Sequence, residues 1–261
     1  MKIEMMEYLS NKISDVNIQK KVIEVLDGMN FLETKEIVNA LEEFDFNEYA
    51  IDLVINENVL KTRTVEEQIR LIEVLKENDY NEDVYNIITS FYVLKNRITD
   101  EQIRLIEVLK ENDYNKDVYY AIIDLFLLKN RTVEEQIKLI EVLKENDYNE
   151  KVYYIITDPN VLENRTVEEQ IKLIEVLKNS DYNKNAYEII IDSEILKNRT
   201  MEDQIKMIEL LKMQKIYHDE NINNKLPLKD FKSYLKELKS KMGKDADIKG
   251  DTMVKVYNPK E

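Results

Sequence analysis

The stretch RTVEEQIKLIEVLKENDYN, residues 131–149, recurs almost word for word at a fixed interval. Arg63, Arg97, Arg131, Arg165 and Arg199 stand 34 residues apart, and Gln68, Gln102, Gln136, Gln170 and Gln204 keep the same step, as do Tyr80, Tyr114, Tyr148 and Tyr182. The block LIEVLK is intact at 71–76, 105–110, 139–144 and 173–178. A period of this length marks an array of supersecondary units. One unit cannot bury its own apolar face, but stacked units can.

Each unit opens with a helix. Thr64 with Glu67 forms a capping box, in which the hydroxyl accepts from a first-turn N–H and the carboxylate reaches back to the cap N–H. Thr132/Glu135 and Thr166/Glu169 repeat it, Thr200/Asp203 approximates it, and in the unit that carries Ile98 the pair Thr99/Gln102 can make it one residue later. At about 100° per residue, Val65, Ile69, Leu71, Ile72, Val74 and Leu75 cover more than half the circumference, which suits a helix flanked on both sides by copies of itself. Asn78 stops the helix at a left-handed position, and Asn81 caps a second helix carrying Val84, Tyr85, Ile87 and Ile88. Val93 and Leu94 then occupy a short further turn of helix before Lys95-Asn96. Thr157-Asp158-Pro159 places a proline at the first position of that turn.

The array has ends. Residues 29–62 read as a degraded unit, because Ile37, Val38, Leu41, Phe46, Asn47 and Val59-Leu60 fall one period before their counterparts. The expected organisation is N-terminal capping helices at 1–28 and units near 29–62, 63–96, 97–130, 131–164 and 165–198. A partial unit at 199–215 follows, then an amphipathic capping helix at 216–243 and a flexible tail at 244–261. Leu228, Phe231, Leu235, Leu238 and Met242 form an apolar stripe that closes the stack or, alternatively, makes a dimer seam between chains. The expected fold is all-α, a right-handed α-solenoid. In unit length and hairpin plan, residues 29–215 resemble the α-solenoid superfamily of tetratricopeptide, HEAT and armadillo repeats. The Trp, Gly, Ala and Pro signature of tetratricopeptide units is missing. The resemblance implies a curved protein-binding scaffold.

Charge bears on the partner. The chain holds 38 basic and 53 acidic residues, a net of −15. Residues 221–261 contribute ten lysines against six acids, so the first 220 residues hold 28 and 47, a net of −19. An acidic body opposes wrapping a phosphate backbone and suits a partner with a basic surface. The N-terminus MKIEMMEYLSNKIS lacks a signal-peptide layout, no window approaches the length of a membrane span, and cysteine is absent. The expected location is cytoplasmic.

Candidate sites follow from the repeat. The exposed stripe Glu66, Arg70, Glu73, Glu77 recurs with Glu107, Glu141 and Glu175 in later units, and it reads as a self-paired face or an acidic ribbon for a basic partner. Asp79-x-Asn81-x-Asp83 has the opening of a calcium loop, but Val84 and Ser90 stand where glycine and glutamate are needed, so no metal or cofactor is expected. The Arg series could line a groove for phosphates or carboxylates, or else bond helix-terminal carbonyls or a neighbouring unit's Glu. The Gln series, set within the apolar arc, must be hydrogen-bonded. Tyr85, Tyr119, Tyr153 and Tyr187 read as packing residues with a polar tip. With one histidine, His218, and no Gly-rich loop or HExxH, the reading is non-catalytic.

The first helix is nearly constant, whereas the second helix and its exit vary. Asn86 becomes Tyr120, Tyr154 and Glu188, and Phe91-Tyr92 becomes Leu125-Phe126, Pro159-Asn160 and Ser193-Glu194. Phe91, Tyr92, Tyr120, Phe126 and Tyr154 are therefore the expected contact surface for a protein partner, since aromatics anchor interfaces. An inhibitor or immunity protein that blocks a basic nuclease is one form of this role, and an assembly scaffold is another. Nucleic-acid binding is the alternative.

Overall fold

The computed structural model describes residues 7–9 and 11–224, with side chains through Lys212. Contacts divide the chain into two units, Met1–Ile208 and Glu209–Glu261. The amphipathic stripe at 226–243 and the tail at 244–261 lie outside the described residues.

The fold is all-α, with no strand among the described residues. After helical residues at 7–9 and 11–12 comes α1 (Val16–Asp27). Three classes of helix then alternate along the chain. The first class is α2 (Phe31–Glu43), α5 (Val65–Glu77), α8 (Thr99–Glu111), α11 (Val133–Glu145), α14 (Val167–Lys178) and α17 (Met201–Asn224). The second is α3 (Glu48–Ile55), α6 (Glu82–Thr89), α9 (Lys116–Ile123), α12 (Glu150–Thr157) and α15 (Lys184–Ile191). The third, six residues each, is α4 (Glu57–Thr62), α7 (Phe91–Asn96), α10 (Leu125–Asn130), α13 (Pro159–Asn164) and α16 (Ser193–Asn198).

Caps set these boundaries. Thr64, Thr132 and Thr166 each accept from the N–H three residues on at 3.2 Å, and the matching glutamate accepts from the threonine N–H at 2.8–2.9 Å. The unit with Ile98 departs from expectation. Ile98 itself holds the cap position, so only the glutamate half survives, Glu101 accepting from the Ile98 N–H at 3.2 Å. Thr99 does not cap; its hydroxyl donates to Glu67 of the preceding first helix at 2.8 Å. The second helices are capped by Asn47, Asn81, Asn115, Asn149 and Asn183. The third are capped by Asn56, Ser90, Asp124, Asp158 and Asp192, with Pro159 in the first turn of α13.

The turn between first and second helices also differs from expectation. Asn78 keeps a negative φ of −108°. The left-handed residues are the next two, Asp79 (φ 52°) and Tyr80 (φ 55°), and the pair recurs at 113/114, 147/148 and 181/182. Leu75 supplies the stop by accepting from the Tyr80 N–H at 2.9 Å. The Asn78 side chain folds back onto the Val74 carbonyl at 2.7 Å, and its oxygen accepts from Tyr114 one unit on at 2.9 Å. Tyr148 and Tyr182 make the same bond to Asn112 and Asn146.

Like packs on like. The first helices stack in the order α2, α5, α8, α11, α14, the second from α6 through α15, and the third from α4 through α16. Each second helix from α3 to α12 also packs on the first helix that follows it. The core between them is aliphatic, with Leu71, Ile72 and Leu75 and their copies fully buried. Each such side chain contributes roughly 1.5–3 kcal/mol. Val65, Ile69 and Val74 complete the wide apolar arc as half-buried neighbours of that core.

Candidate partner-binding surface and the ladders beneath it

The third helices are too short to satisfy their own C-terminal carbonyls, and the Arg series does so. Arg97 Nη1 donates to the carbonyls of Asn96, at the end of its own third helix, at 2.9 Å and of Leu128, in the next, at 3.1 Å. Its Nη2 donates to the Arg131 carbonyl at 2.8 Å and to Gln136 Oε1 at 3.0 Å. Gln136 Nε2 then donates to the carbonyls of Ala121 and Ile122 at the end of α9 at 2.8 and 3.1 Å. Arg63/Gln102, Arg131/Gln170 and Arg165/Gln204 repeat the arrangement. Burial pulls the Arg63, Arg97 and Arg131 guanidinium groups below their usual value. Of the two roles open to these arginines, they take the carbonyl-binding one.

The acidic stripe pairs between helices and not within them. Arg70 bonds Asp100 at 2.6 Å, Arg104 bonds Glu134 at 2.6 Å and Lys138 bonds Glu168 at 3.2 Å, each pair 30 residues apart. In each of these pairs the acid that bonds the cation stands on the next first helix and not at i−4 or i+3 of its own. Glu73, Glu107, Glu141 and Glu175 are exposed, and none of the described ion pairs includes them.

The five aromatic candidates stand out from the core. Phe91 is 52% exposed, Tyr92 48%, Tyr120 50%, Phe126 42% and Tyr154 46%. They fall into two groups. Tyr120 and Tyr154 lie on the neighbouring second helices α9 and α12, where Tyr120 packs on Tyr119 at 5.3 Å and Tyr154 on Tyr153 at 5.7 Å between ring centres. The second helices α9, α12 and α15 that carry Tyr119, Tyr153 and Tyr187 pack in succession. Burial pushes the Tyr153 hydroxyl up, assisted by Asp124 and Asp117; burial also raises Tyr187, assisted by Asp158. Phe91 and Tyr92 touch edge to face at 5.7 Å on α7, with Lys95 over Phe91 at 5.9 Å, and Phe126 sits on α10 at the position equivalent to Tyr92. Among the described residues no ring contact joins the two groups.

Sequence reasoning missed that Tyr119 and Tyr153 back the exposed rings of Tyr120 and Tyr154. The signal was present: a tyrosine beside each variable position 120 and 154, alternating half-buried and exposed along one helix. It also missed the charges at the second-helix N-termini. Lys116 Nζ lies 2.7 Å from both Asp83 oxygens and 5.4 Å from the Tyr119 ring centre. Asp83 is thereby engaged by a lysine, and Asn81 by the N–H groups of Asp83 and Val84. No helix among the described residues is long and apolar enough to cross a membrane. In comparisons with protein-family models, curated proteins and solved structures, nothing matches this chain.

Proposed function

We propose that this chain is a right-handed α-solenoid of 34-residue units that binds a protein partner with a basic surface and performs no chemistry. Phe91, Tyr92, Tyr120, Phe126 and Tyr154 supply apolar contact, and Glu73, Glu107, Glu141 and Glu175 supply the acidic field. The observation that carries the reading is that, among the described residues, every exposed large hydrophobic on the second and third helices is one of these five aromatics. Exposed aromatic groups on a packed frame are candidates for interface anchors. Blocking a basic nucleic-acid-acting protein in the cytoplasm is one form of this activity. The nucleic-acid alternative loses its main support, since the arginines that would meet phosphates donate to carbonyls.

The test is affinity capture from lysate of the source cells with and without nuclease, comparing the wild-type chain with Tyr120→Ala/Tyr154→Ala and with Glu107→Lys/Glu141→Lys. One protein enriched by the wild type and lost with both variants, at unchanged thermal stability, supports the reading. Enrichment that disappears with nuclease favours nucleic acid, and capture indifferent to both variants removes the reading.

A further inference from the structure

The second helices hold a cation seat that the chain fills for itself once. Between α6 and α9, the Asp83 carboxylate, the Tyr119 ring and the Lys116 ammonium meet. One period on, the acid recurs as Asp117 and the ring as Tyr153, and Asp117 is among the charges acting on Tyr153. Glu150 occupies the position of Lys116. This second junction therefore keeps its acid and its ring, and its sequence sets another acid where the cation stood. Its aromatic floor extends to Tyr154, 5.7 Å from Tyr153 and about half exposed.

The chain's own lysines at this end are occupied elsewhere. Lys151 donates to the Tyr182 carbonyl, and Lys184 lies 3.6 Å from Glu188 on its own helix. Among the described residues, no ion pair engages Asp117, Asp124 or Glu150. A cation entering here gains attraction from the acids and from the ring faces together. An anion or a neutral apolar group gains no such pairing.

We propose that the junction of α9 and α12, floored by Tyr153 and Tyr154 and carrying Asp117 and Glu150 at the positions of Asp83 and Lys116, receives the side-chain cation of a lysine or arginine from a protein partner. The cation takes the place that Lys116 fills one unit earlier. This rests on the protein-binding reading above and names the group that is recognised and where.

The test uses hexalysine as the probe, titrated into the full chain while backbone amide shifts are followed, with hexa-arginine in parallel. Shifts are expected to centre on α9 and α12. Glu150→Lys fills the seat from within and should weaken binding by about tenfold or more, whereas Glu36→Lys makes the same charge change at an exposed position of the first helix α2 and should cost about twofold at most. Lys116→Glu should open a second group of shifts on α6 and α9. Equal weakening by Glu150→Lys and Glu36→Lys, or shifts spread over the acidic body, would mean that the peptide reads net charge and would overturn the seat. Partner capture that Glu150→Lys leaves intact would overturn the seat while preserving the protein-binding reading. Peptide binding sensitive to Glu150→Lys with an empty capture would preserve the seat's chemistry and overturn that reading.

Discussion

Arg97 and Gln136 are 39 residues apart in sequence and 3.0 Å apart in space, buried between one unit and the next. The bond joins two polar requirements. The guanidinium closes the carbonyl ends of two third helices, and the amide closes the end of a second helix. An aliphatic side chain in either position would leave several carbonyls without donors.

Gln136→Leu should therefore cost about 2–4 kcal/mol, because the Ala121 and Ile122 carbonyls and the Arg97 guanidinium all lose a partner in a buried setting. Gln68→Leu should cost far less. Gln68 Oε1 is buried with no partner, and its Nε2 reaches only the Arg63 carbonyl at 3.2 Å. Urea midpoints of the two variants against the wild type measure the difference. Equal losses would show that the glutamines act through packing and not through the ladder.

The orphaned Gln68 oxygen has an identifiable origin. The residue 39 positions before it, where each later glutamine finds its arginine, is Met29. Met29→Arg should restore the missing rung and raise stability by about 1 kcal/mol, the net worth of a typical hydrogen bond. A double-mutant cycle with Gln68→Leu checks the cause, since the gain should vanish in the Gln68→Leu background.

Ile98 presents a second flaw in the repeat. It sits at an N-cap, 63% exposed, where Thr64, Thr132 and Thr166 cap their helices with a hydroxyl. Ile98→Thr should add about 1 kcal/mol by giving the Glu101 N–H an acceptor. Thermal unfolding would show it as a higher midpoint with unchanged helical signal. An unchanged midpoint would mean that the hydrogen bond from Thr99 to Glu67 already compensates.

Helix identity was legible because caps and apolar period both repeat. Asn81, Thr64 and Pro159 marked true starts, and the apolar arc of residues 65–75 marked the buried side. The ladders were legible only as residue types. Spacing in one dimension says that Gln136 must bond something. It cannot say that the partner is Arg97, because that depends on the offset between stacked helices. The same limit misplaced the ion pairs. Arg104 has acids at suitable intrahelical spacing, yet Glu134 on the next helix is the nearer partner. The left-handed pair Asp79 and Tyr80 escaped notice because neither is glycine and the neighbouring Asn78 is the more usual occupant of such a position. The exposed aromatics were found from variation between units, a signal that a single non-repeating domain would not contain.

Asp124 offers a test of the surface by pH. Its carboxylate caps α10 by accepting from the Leu127 N–H at 2.8 Å, and burial raises its pKa above the ordinary aspartate value. A carboxyl whose folded pKa is raised contributes stability that is fully present below the unfolded pKa of about 3.9 and is lost as pH rises through the folded value. At neutral pH the charged Asp124 is thus a cost. Asp124→Asn keeps an acceptor for the cap and removes that charge, so it should be more stable than the wild type at pH 7, with the advantage shrinking as pH falls toward 4. Asp124→Ala loses the cap as well and should be less stable than Asp124→Asn by about 1 kcal/mol. Asn56 and Ser90 already cap the equivalent helices without a charge. Urea midpoints at pH 7, 5 and 4 decide the matter. An Asp124→Asn variant that loses stability at pH 7 would mean that the charge strengthens the cap by more than burial penalises it.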